Sequence, residues 1–396
     1  MDEVSMRSYS LLDKELGLIE YRDKKRWLWT LSLVLPLLPL LGVVLFLQSG
    51  AEWMLALPLL AAYIFIPLLD WLWGIDTNNP PEEIVPQLEE DQYYRRLTYV
   101  TVPLHFLTLI LLAWFVSAYE LSLVAMGLLA ITAGLFSGLG VNTAHELGHK
   151  KTRLEQNLAK WALAVPAYGH FCVEHNRGHH RFVATPEDPA SARMGENIYR
   201  FMLREIPGGW RRAWATEADR LQRKGLSRWS ADNAILQSYT ISLVLQVGLI
   251  WAFGWIMLPF LLIHNVFAWF QLTSANYIEH YGLLREKQAD GSHERCQPHH
   301  SWNANYIVSN VVLFHLERHS DHHANSHRRY QSLRHFDDIP QLPNGYFGCY
   351  LLAYVPWFWY RVMDPRLLAL PHIQGDMNKV NLDPRQRENL LARYAS

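Results

Sequence analysis

Hydrophobic positions along the chain gather into six near-continuous runs, and polar segments separate them. Each run is close to the length of about 20 residues that an α-helix needs to cross the hydrocarbon core of a bilayer. The pattern therefore predicts an all-α integral membrane protein with six transmembrane helices. The predicted helices cover residues 27–48, 53–74, 99–119, 121–141, 236–253 and 255–273.

The positions of Lys and Arg predict the orientation of these helices. Four basic residues within 22–26 precede the first run, whereas the connections 49–52 and 120 hold none. Basic flanks stay in the cytosol, and no small-residue cleavage site of a removable signal peptide precedes the first run. We therefore expect a cytosolic arm (1–26), helices one to four (27–142), a cytosolic region (143–235), helices five and six (236–275), a second cytosolic region (276–380) and a polar tail (381–396).

Composition narrows the function classes. The formal net charge of −1 gives no reason to expect nucleic-acid binding, and three scattered cysteines are too few for a disulfide framework or a thiolate zinc site. Local basic clusters do occur, and they are either the positive-inside signal or a docking face for an acidic protein partner. The candidate docking residues are Lys150, Lys151, Arg153, Arg177, Arg181, Arg328 and Arg329.

The histidines are concentrated in one part of the chain. Of the 19, all but His105 and His372 lie between His145 and His335. They form clusters at helical spacing, in which residues three or four apart share a face and present their imidazoles to one point. Such clusters predict metal binding. Their members are His145 and His149; His175, His179 and His180; and His315, His319, His322 and His323.

The first cluster lies in the sequence "HELGH", the HExxH pattern of zinc peptidases. A peptidase would use two histidines, a third ligand and Glu146 as general base, so an intramembrane zinc protease is one alternative. One zinc would leave most clustered histidines without a role, whereas nine imidazoles can fill two metal sites of four or five ligands each. His315 fits its cluster but is not needed. The nine are His145, His149, His175, His179, His180, His280, His319, His322 and His323.

Imidazole suits iron, copper and zinc, and a pair of redox metals that opens onto membrane helices favours oxygen chemistry on an apolar substrate. The predicted fold is thus six transmembrane helices with a cytosolic helical cap that carries a His-rich dimetal site. Carboxylates beside the ligands are expected to accept the second ring N–H of a metal-bound imidazole; direct ligation or general-base chemistry is the alternative. The candidates are Glu146, Glu174, Glu279, Asp321 and Asp188.

Four motifs carry a family resemblance: "HELGHK" (145–150), "EHNRGHHRFVATPEDPASAR" (174–193), "NYIEHYGLLR" (276–285) and "LERHSDHHANSHRRYQSLR" (316–334), followed by "LPNGY" (342–346). The chain resembles the integral-membrane histidine-box diiron family of desaturases, hydroxylases and alkane monooxygenases. The His280-Tyr281-Gly282 element is similar to the bacterial alkane 1-monooxygenase branch. The resemblance covers roughly residues 27–346, and one departure is Asn325-Ser326-His327, where that family has Asn-Pro.

The resemblance implies that the nine histidines hold two iron ions, with O2 as co-substrate and no bound flavin or haem. It implies terminal hydroxylation of medium-chain n-alkanes to primary alcohols, with electrons from rubredoxin and, indirectly, an NADH-dependent rubredoxin reductase. The implied location is the bacterial cytoplasmic (inner) membrane, with the N-terminus and the metal site cytosolic. A membrane fatty-acyl desaturase or hydroxylase is the alternative within the same family.

An alkane has no polar group, so its binding must come from apolar burial, at about 0.8 kcal/mol per methylene. We expect a tunnel between the membrane helices to supply this burial, although ordinary packing also explains each candidate side chain. Intramembrane His264 is included because it can face a cavity. The candidate tunnel residues are Trp53, Leu57, Phe65, Phe106, Ile110, Leu135, His264 and Phe270.

Overall fold

The computed structural model describes residues 7–394, and helices make up most of it, which confirms the predicted fold class. Six helices are long and apolar enough to cross a membrane. In chain order the main helices are α1 (Leu28–Ser49), α2 (Glu52–Trp73), α3 (Gln92–Ala118), α4 (Leu123–Gly148), α5 (Arg153–Ala164), α6 (Ile198–Arg223), α7 (Ala234–Phe253), α8 (Met257–His280), α9 (Ile307–Val312), α10 (His319–Ala324), α11 (Tyr346–Tyr354), α12 (Pro356–Leu368) and α13 (Arg387–Tyr394).

The outer surfaces of α1, α2 and α7 are apolar. Trp71 is 75% exposed and Trp251 is 87% exposed, and many leucines and valines on the same helices are also exposed. A soluble protein rarely leaves such continuous apolar surface in water. The six apolar helices therefore indicate a multi-pass membrane protein.

Helices α4 and α8 form the centre of the bundle, and glycines let them approach closely. A Cβ atom at Gly134 would lie 2.6 Å from the carbonyl oxygen of His264, and one at Gly138 would lie 2.6 Å from Cβ of Gln271. Small residues allow the backbones of membrane helices to pack at such short range. The two helices run on without a break to Gly148 and His280, so their last turns bring histidines to one place.

The arm before α1 contains a hairpin that the hydrophobic pattern did not predict. Strand β1 (Ser8–Asp13) pairs antiparallel with β2 (Gly17–Arg22), from the Ser8–Arg22 pair to the Asp13–Gly17 pair. Tyr9 donates a 2.7 Å hydrogen bond to Asp91, whose side chain also accepts from the backbone of Tyr93 and so caps α3. The hairpin is thereby fixed to the start of a membrane helix.

The short helices lie together beyond the ends of α4 and α8. They include Phe171–Glu174, a π-helical turn at His175–His179, and His180–Phe182. The last residues are tied to this region, since Asn381 donates its backbone N–H to the carbonyl of Gly282 over 2.9 Å and accepts from Met194 over 2.8 Å. The predicted polar tail begins within this packed part and continues into α13, which buries Leu390.

Candidate metal centre

The nine predicted histidines lie together in two groups. The five-histidine group comprises His145, His149, His175, His180 and His322, and the four-histidine group comprises His179, His280, His319 and His323. Within each group, the nitrogen atoms that could bind a metal lie within 4.8 Å of one another. The groups are neighbours, because the rings of His180 and His323 have centroids 4.5 Å apart.

Four elements deliver these side chains. The last turn of α4 supplies His145, and His149 follows it directly, while the end of α8 supplies His280. Helix α10 divides its histidines between the groups: His319 and His323 face one, and His322 faces the other. The remaining three ligands come from the segment 171–182.

The π-helical turn at His175–His179 explains how this segment serves both groups. In a π-helix the repeat is i to i+5 rather than i to i+4. His175 and His180 therefore share a face, with their Nε2 atoms 3.0 Å apart, and His179 points to the other group. Spacing alone predicts that His175 and His179, four residues apart, share a face, and the wider turn corrects that prediction.

Burial keeps these imidazoles neutral. Removal from water lowers the pKa of His149, His175 and His180 well below the usual value, and it does the same for His319, His322 and His323. A neutral imidazole has a free lone pair, which is the form that binds metal. The chemistry of the donor set thus fits metal binding.

The unsatisfied nitrogens fit a pair of metal ions as well. The Nε2 atoms of His149 and His179 are buried and have no hydrogen-bond partner within the described part of the chain. Other Nε2 atoms face one another, at 2.9 Å between His145 and His322 and at 3.1 Å between His280 and His319. Buried polar atoms normally find partners, and a metal at the centre of each group would provide them.

Asp188 occupies the predicted position beside a ligand. Nδ1 of His179 donates to Oδ2 of Asp188 over 2.9 Å, which leaves the lone pair on Nε2 directed at the four-histidine group. Burial alone would raise the pKa of this carboxyl, but the contacts with His179 and Arg212 hold it below the usual range. Such a carboxylate fixes the tautomer and the orientation of a metal ligand.

Of the other predicted carboxylates, only Glu279 lies beside a ligand, with Oε2 3.5 Å from Nε2 of His319. The predicted imidazole contacts of Glu146, Glu174 and Asp321 are wrong, because adjacent positions on a helix point about 100° apart. The three carboxylates instead contact other polar groups of the protein. Glu146 contacts Lys150 at 3.1 Å, Glu174 accepts from Arg212 at 2.9 Å, and Asp321 accepts from the backbone of Arg334 at 2.9 Å.

His315 lies outside both groups, because α10 begins only at His319. Its φ of 54° breaks the helical spacing, and its ring faces the carbonyl of Tyr330 at 2.8 Å and the ammonium of Lys25 at 3.0 Å. A further cluster of Glu294, His299 and His300 lies outside both groups. The backbone N–H of Gln297 donates to Nδ1 of His300, so its Nε2 carries the hydrogen and faces Glu294 at 3.3 Å.

A cavity of about 490 Å³ adjoins both groups. His145 and His175 line it from one group and His319 from the other, next to Glu279. The rest of its wall is mostly apolar, which suits a hydrocarbon. These wall residues are Gly138, Leu139, Val141, Asn142, Phe171, Gln271, Leu272, Ala275, Asn276, Leu313, Leu316 and Tyr350.

None of the eight predicted tunnel residues lines this cavity. Trp53, Phe65 and Ile110 are exposed on the outside of the bundle, and His264 is held by hydrogen bonds to Ser137 at 2.7 Å and to Asn265 at 2.9 Å. The other four pack among their neighbours; they are Leu57, Phe106, Leu135 and Phe270. The cavity lies within about two turns of the histidines on α4 and α8, where the small residues Gly138 and Ala275 line it. Small residues one or two turns before these histidines are the signal that could have found it.

Two of the predicted docking residues are buried. The ammonium of Lys150 donates to the carbonyl of Arg328 over 2.7 Å, and Arg329 forms a 2.7 Å ion pair with Glu155. Both side chains stabilise the cap and cannot contact a partner, because their charges are already compensated inside the protein. Arg328 is partly buried and pairs with Glu82 at 3.1 Å. The exposed members are Lys151, Arg153, Arg177 and Arg181.

Comparison with known proteins gives concordant results. Residues 121–349 match the fatty acid desaturase family. The chain is 52% identical over 377 residues to the alkane 1-monooxygenase of Ectopseudomonas oleovorans, which covers 95% of this chain and 94% of that protein. It is 51% identical over 368 residues to alkane 1-monooxygenase 1 of Alcanivorax borkumensis, covering 93% and 91%. The xylene/toluene monooxygenase hydroxylase component of Pseudomonas putida is 29% identical over 255 residues, covering 63% and 64%.

Proposed function

The chain belongs to the family of alkane 1-monooxygenases, and we propose that it hydroxylates the terminal carbon of medium-chain n-alkanes. The overall reaction is RH + O2 + 2e⁻ + 2H⁺ → ROH + H2O. Its class is therefore that of an integral-membrane oxidoreductase with a desaturase-like fold. The observation that carries the proposal is the contact of one apolar cavity with histidines of both groups.

The nine histidines would hold two iron ions, five ligands on one and four on the other. The two ions would supply the reduction of O2 and the oxidation of the C–H bond. The protein's own contribution is to keep six of the imidazoles neutral by burial, to orient His179 through Asp188, and to surround the substrate with apolar side chains. A cavity with an apolar wall favours the alkyl chain over water.

The cavity defines the substrate class. Apolar burial contributes about 0.8 kcal/mol per methylene, so a chain of several carbons is needed before binding becomes useful. The cavity's mostly apolar wall with a few polar groups is typical of small-molecule sites. The histidines occupy one part of its wall, so an alkane that fills the cavity lengthwise presents its end carbon to them.

Electrons would come from rubredoxin, which an NADH-dependent reductase reduces. The docking face would include the exposed residues Lys151, Arg153 and Arg177, because an acidic protein is attracted to basic side chains near the metal centre. Residues 143–235 and 276–380 would form the cytosolic side of a protein in the bacterial inner membrane, with a cytosolic N-terminus.

The test is reconstitution of the purified protein with iron, rubredoxin and reductase, followed by metal analysis and identification of the products from octane. We expect about two irons per chain, as the two histidine groups require, and octan-1-ol as the product. His319→Ala should abolish the product, whereas His293→Ala, on a loop outside both groups, serves as the matched control. Internal alcohols, an unsaturated acyl product only, or a single zinc per chain would contradict the proposal.

A further inference from the structure

The inference in this section rests on the proposed function, because that reaction consumes two protons for each O2. A one-electron protein carrier brings electrons without protons, and histidines that bind metal have no proton to give. The metal centre is also enclosed, since seven of its nine histidines are at most 8% exposed, and the other two, His180 and His323, are only partly accessible. Protons must therefore cross the protein.

A row of cavities leads from the surface to the metal centre. The outer cavity, of about 760 Å³, is lined by exposed Trp210 and Arg211 and by His170. The inner cavity, of about 330 Å³, shares His170 and Tyr168 with it. The inner cavity in turn shares His175 and Asn276 with the substrate cavity. The inner cavity has room for about one water beside the polar side chains of His170, Glu174 and Glu205, and the residues that it shares with its two neighbours place it between the surface and the substrate cavity.

Glu205 lies in the wall of the inner cavity, between the outer cavity and the substrate cavity. Glu205 is 4% exposed, and its two carboxylate oxygens accept hydrogen bonds from Thr273 over 2.5 Å and from Asn276 over 2.6 Å. The neighbouring Arg204 is turned away and pairs with Glu196 at 2.7 Å. Within residues 7–394, Glu205 forms no ion pair.

The other acids near this cavity are fixed by cations. Glu174 lines the same cavity but accepts two hydrogen bonds from Nε of Arg212, at 2.9 and 3.1 Å. Asp188 contacts Arg212 at 2.6 Å and His179 at 2.9 Å. A carboxylate that is held by arginine does not release or bind protons near neutral pH. Among the described residues, Glu205 is the carboxyl in the wall of the inner cavity that no cation holds.

We propose that Glu205 is the proton relay of this enzyme, which carries both protons of each turnover from the water of the outer cavity to the substrate side. A proton from water in the inner cavity binds one carboxyl oxygen, and the protonated carboxyl then gives a proton to water in the space that Asn276 and His175 line. Thr273 and Asn276 hold the carboxyl in place by their hydrogen bonds. The carboxyl is regenerated after each transfer, so the overall reaction gains no further reactant.

The acidity of Glu205 suits this role. Burial raises the pKa of Glu205 to about 7, and the charge of Asp188 also raises it. The hydrogen bonds from Thr273 and Asn276 and the charge of Arg204 lower the pKa, but by less. Glu174, Glu279 and Tyr168 also face this region. A relay works best when its pKa lies near the operating pH, since it must both take up and release a proton.

The first measurement uses metal-free protein and so does not depend on catalysis. Infrared difference spectra should contain a protonated-carboxyl band that disappears with a midpoint near pH 7, exchanges in D2O, and is missing from Glu205→Gln. Asp219→Asn, an exposed acid on the same helix α6, is the matched control and should retain the band. A band that titrates at the usual pKa of a glutamate, or that does not exchange, would overturn the relay.

The second measurement is turnover of the reconstituted, iron-loaded enzyme. Glu205→Gln should lower the rate of octane hydroxylation about 100-fold with the position of hydroxylation unchanged. The rate of the unaltered enzyme should fall as the pH rises above about 7, because the carboxyl then lacks the proton that it delivers. That decline should be absent in Glu205→Gln and should move to lower pH in Glu205→Asp.

The outcomes separate the relay from a structural role and from the proposed function. Glu205→Gln that is as fast as the unaltered enzyme, or slow with the same pH decline, would overturn the relay. If Glu205→Gln fails to bind iron, the pH dependence of the Glu205→Asp rate is the deciding measurement. A decline that moves to lower pH supports the relay, and a decline at the same pH as in the unaltered enzyme contradicts it. Failure of the unaltered enzyme to form octan-1-ol would overturn the proposed function, while the infrared titration still decides whether Glu205 exchanges protons.

Discussion

The two histidine groups use the same ligand type but have different surroundings. In the four-histidine group, Asp188 accepts from His179 at 2.9 Å and Glu279 lies 3.5 Å from His319. In the five-histidine group, the closest contacts of His145, His175 and His180 are other imidazoles. A carboxylate partner makes an imidazole a stronger donor and fixes its ring. We therefore expect metal binding at the four-histidine group to depend on its carboxylates. We expect metal binding at the five-histidine group to depend on backbone geometry alone.

The largest expected effect comes from removing one ligand from each group. His319 and His322 lie three residues apart on α10 and face different groups, so they form a matched pair. Replacing either with Ala should lower alkane turnover by more than about 100-fold, since even outer partners of metal ligands contribute up to that factor.

Metal analysis of the two variants tests whether the groups are separate sites. Each variant should retain about one iron per chain, because four or five imidazoles remain in the untouched group. Loss of both ions from either variant would show that the two groups bind metal only together. Two irons retained in both variants would contradict the assignment of these histidines as ligands.

The next largest effect concerns the carboxylate itself. Asp188→Asn keeps the shape of the side chain but removes the charge that fixes the tautomer of His179, and it should weaken metal binding at the four-histidine group by about 10- to 100-fold. Chelator competition should then show one weakened and one unchanged ion. Glu146→Gln is the comparison at the five-histidine group, where the carboxylate contacts Lys150 rather than a histidine. Equal weakening by both variants would contradict the difference between the groups.

Sequence reasoning predicted the nine histidines that the structure brings together, but not their division between the two groups. The set of nine follows from helical spacing and from the family resemblance, and α4 does continue past residue 141 to carry His145 as predicted. The division depends on the π-helical turn at His175–His179, which spacing cannot reveal because a local change of helical repeat depends on tertiary packing.

The same limit explains the errors around the site. Glu146 and Asp321 adjoin ligands in sequence, but neighbours on a helix point in different directions, and only the fold shows that Asp188 reaches His179. The tunnel prediction failed for a related reason. An apolar side chain such as Trp53 fits lipid as well as it fits a cavity, and hydropathy does not distinguish the inner from the outer face of a helix whose whole surface is apolar.

A smaller effect is expected from the cavity that both groups share. Ala275 is a buried part of the cavity wall. Ala275→Phe should fill part of the cavity and move the product profile towards shorter alkanes. Turnover of the longest substrate should fall about tenfold, because a few methylenes that contribute about 0.8 kcal/mol each are no longer buried. Product analysis over a series of alkanes measures this shift. Phe65→Ala on the exposed face of α2 is the control and should leave the profile unchanged.

The fold of Ala275→Phe must be checked, because added volume in a packed interior usually costs about 1–3 kcal/mol. Its iron content and thermal stability should be measured beside the product profile. An unchanged chain-length profile in a folded, iron-loaded variant would show that the alkane does not lie between the two groups in this cavity.

The smallest effect concerns the side from which electrons arrive. Exposed Lys151 follows His149 by two residues, so the five-histidine group lies closest in the chain to this part of the basic surface. Lys151→Glu should raise the KM for rubredoxin several-fold at low ionic strength and much less at high salt, because salt screens exposed charges over about 10 Å at 0.1 M. Lys14→Glu, in the turn of the β1–β2 hairpin, makes the same charge change elsewhere. Equal responses of the two variants would show that net charge, and not a docking face beside the five-histidine group, governs the encounter.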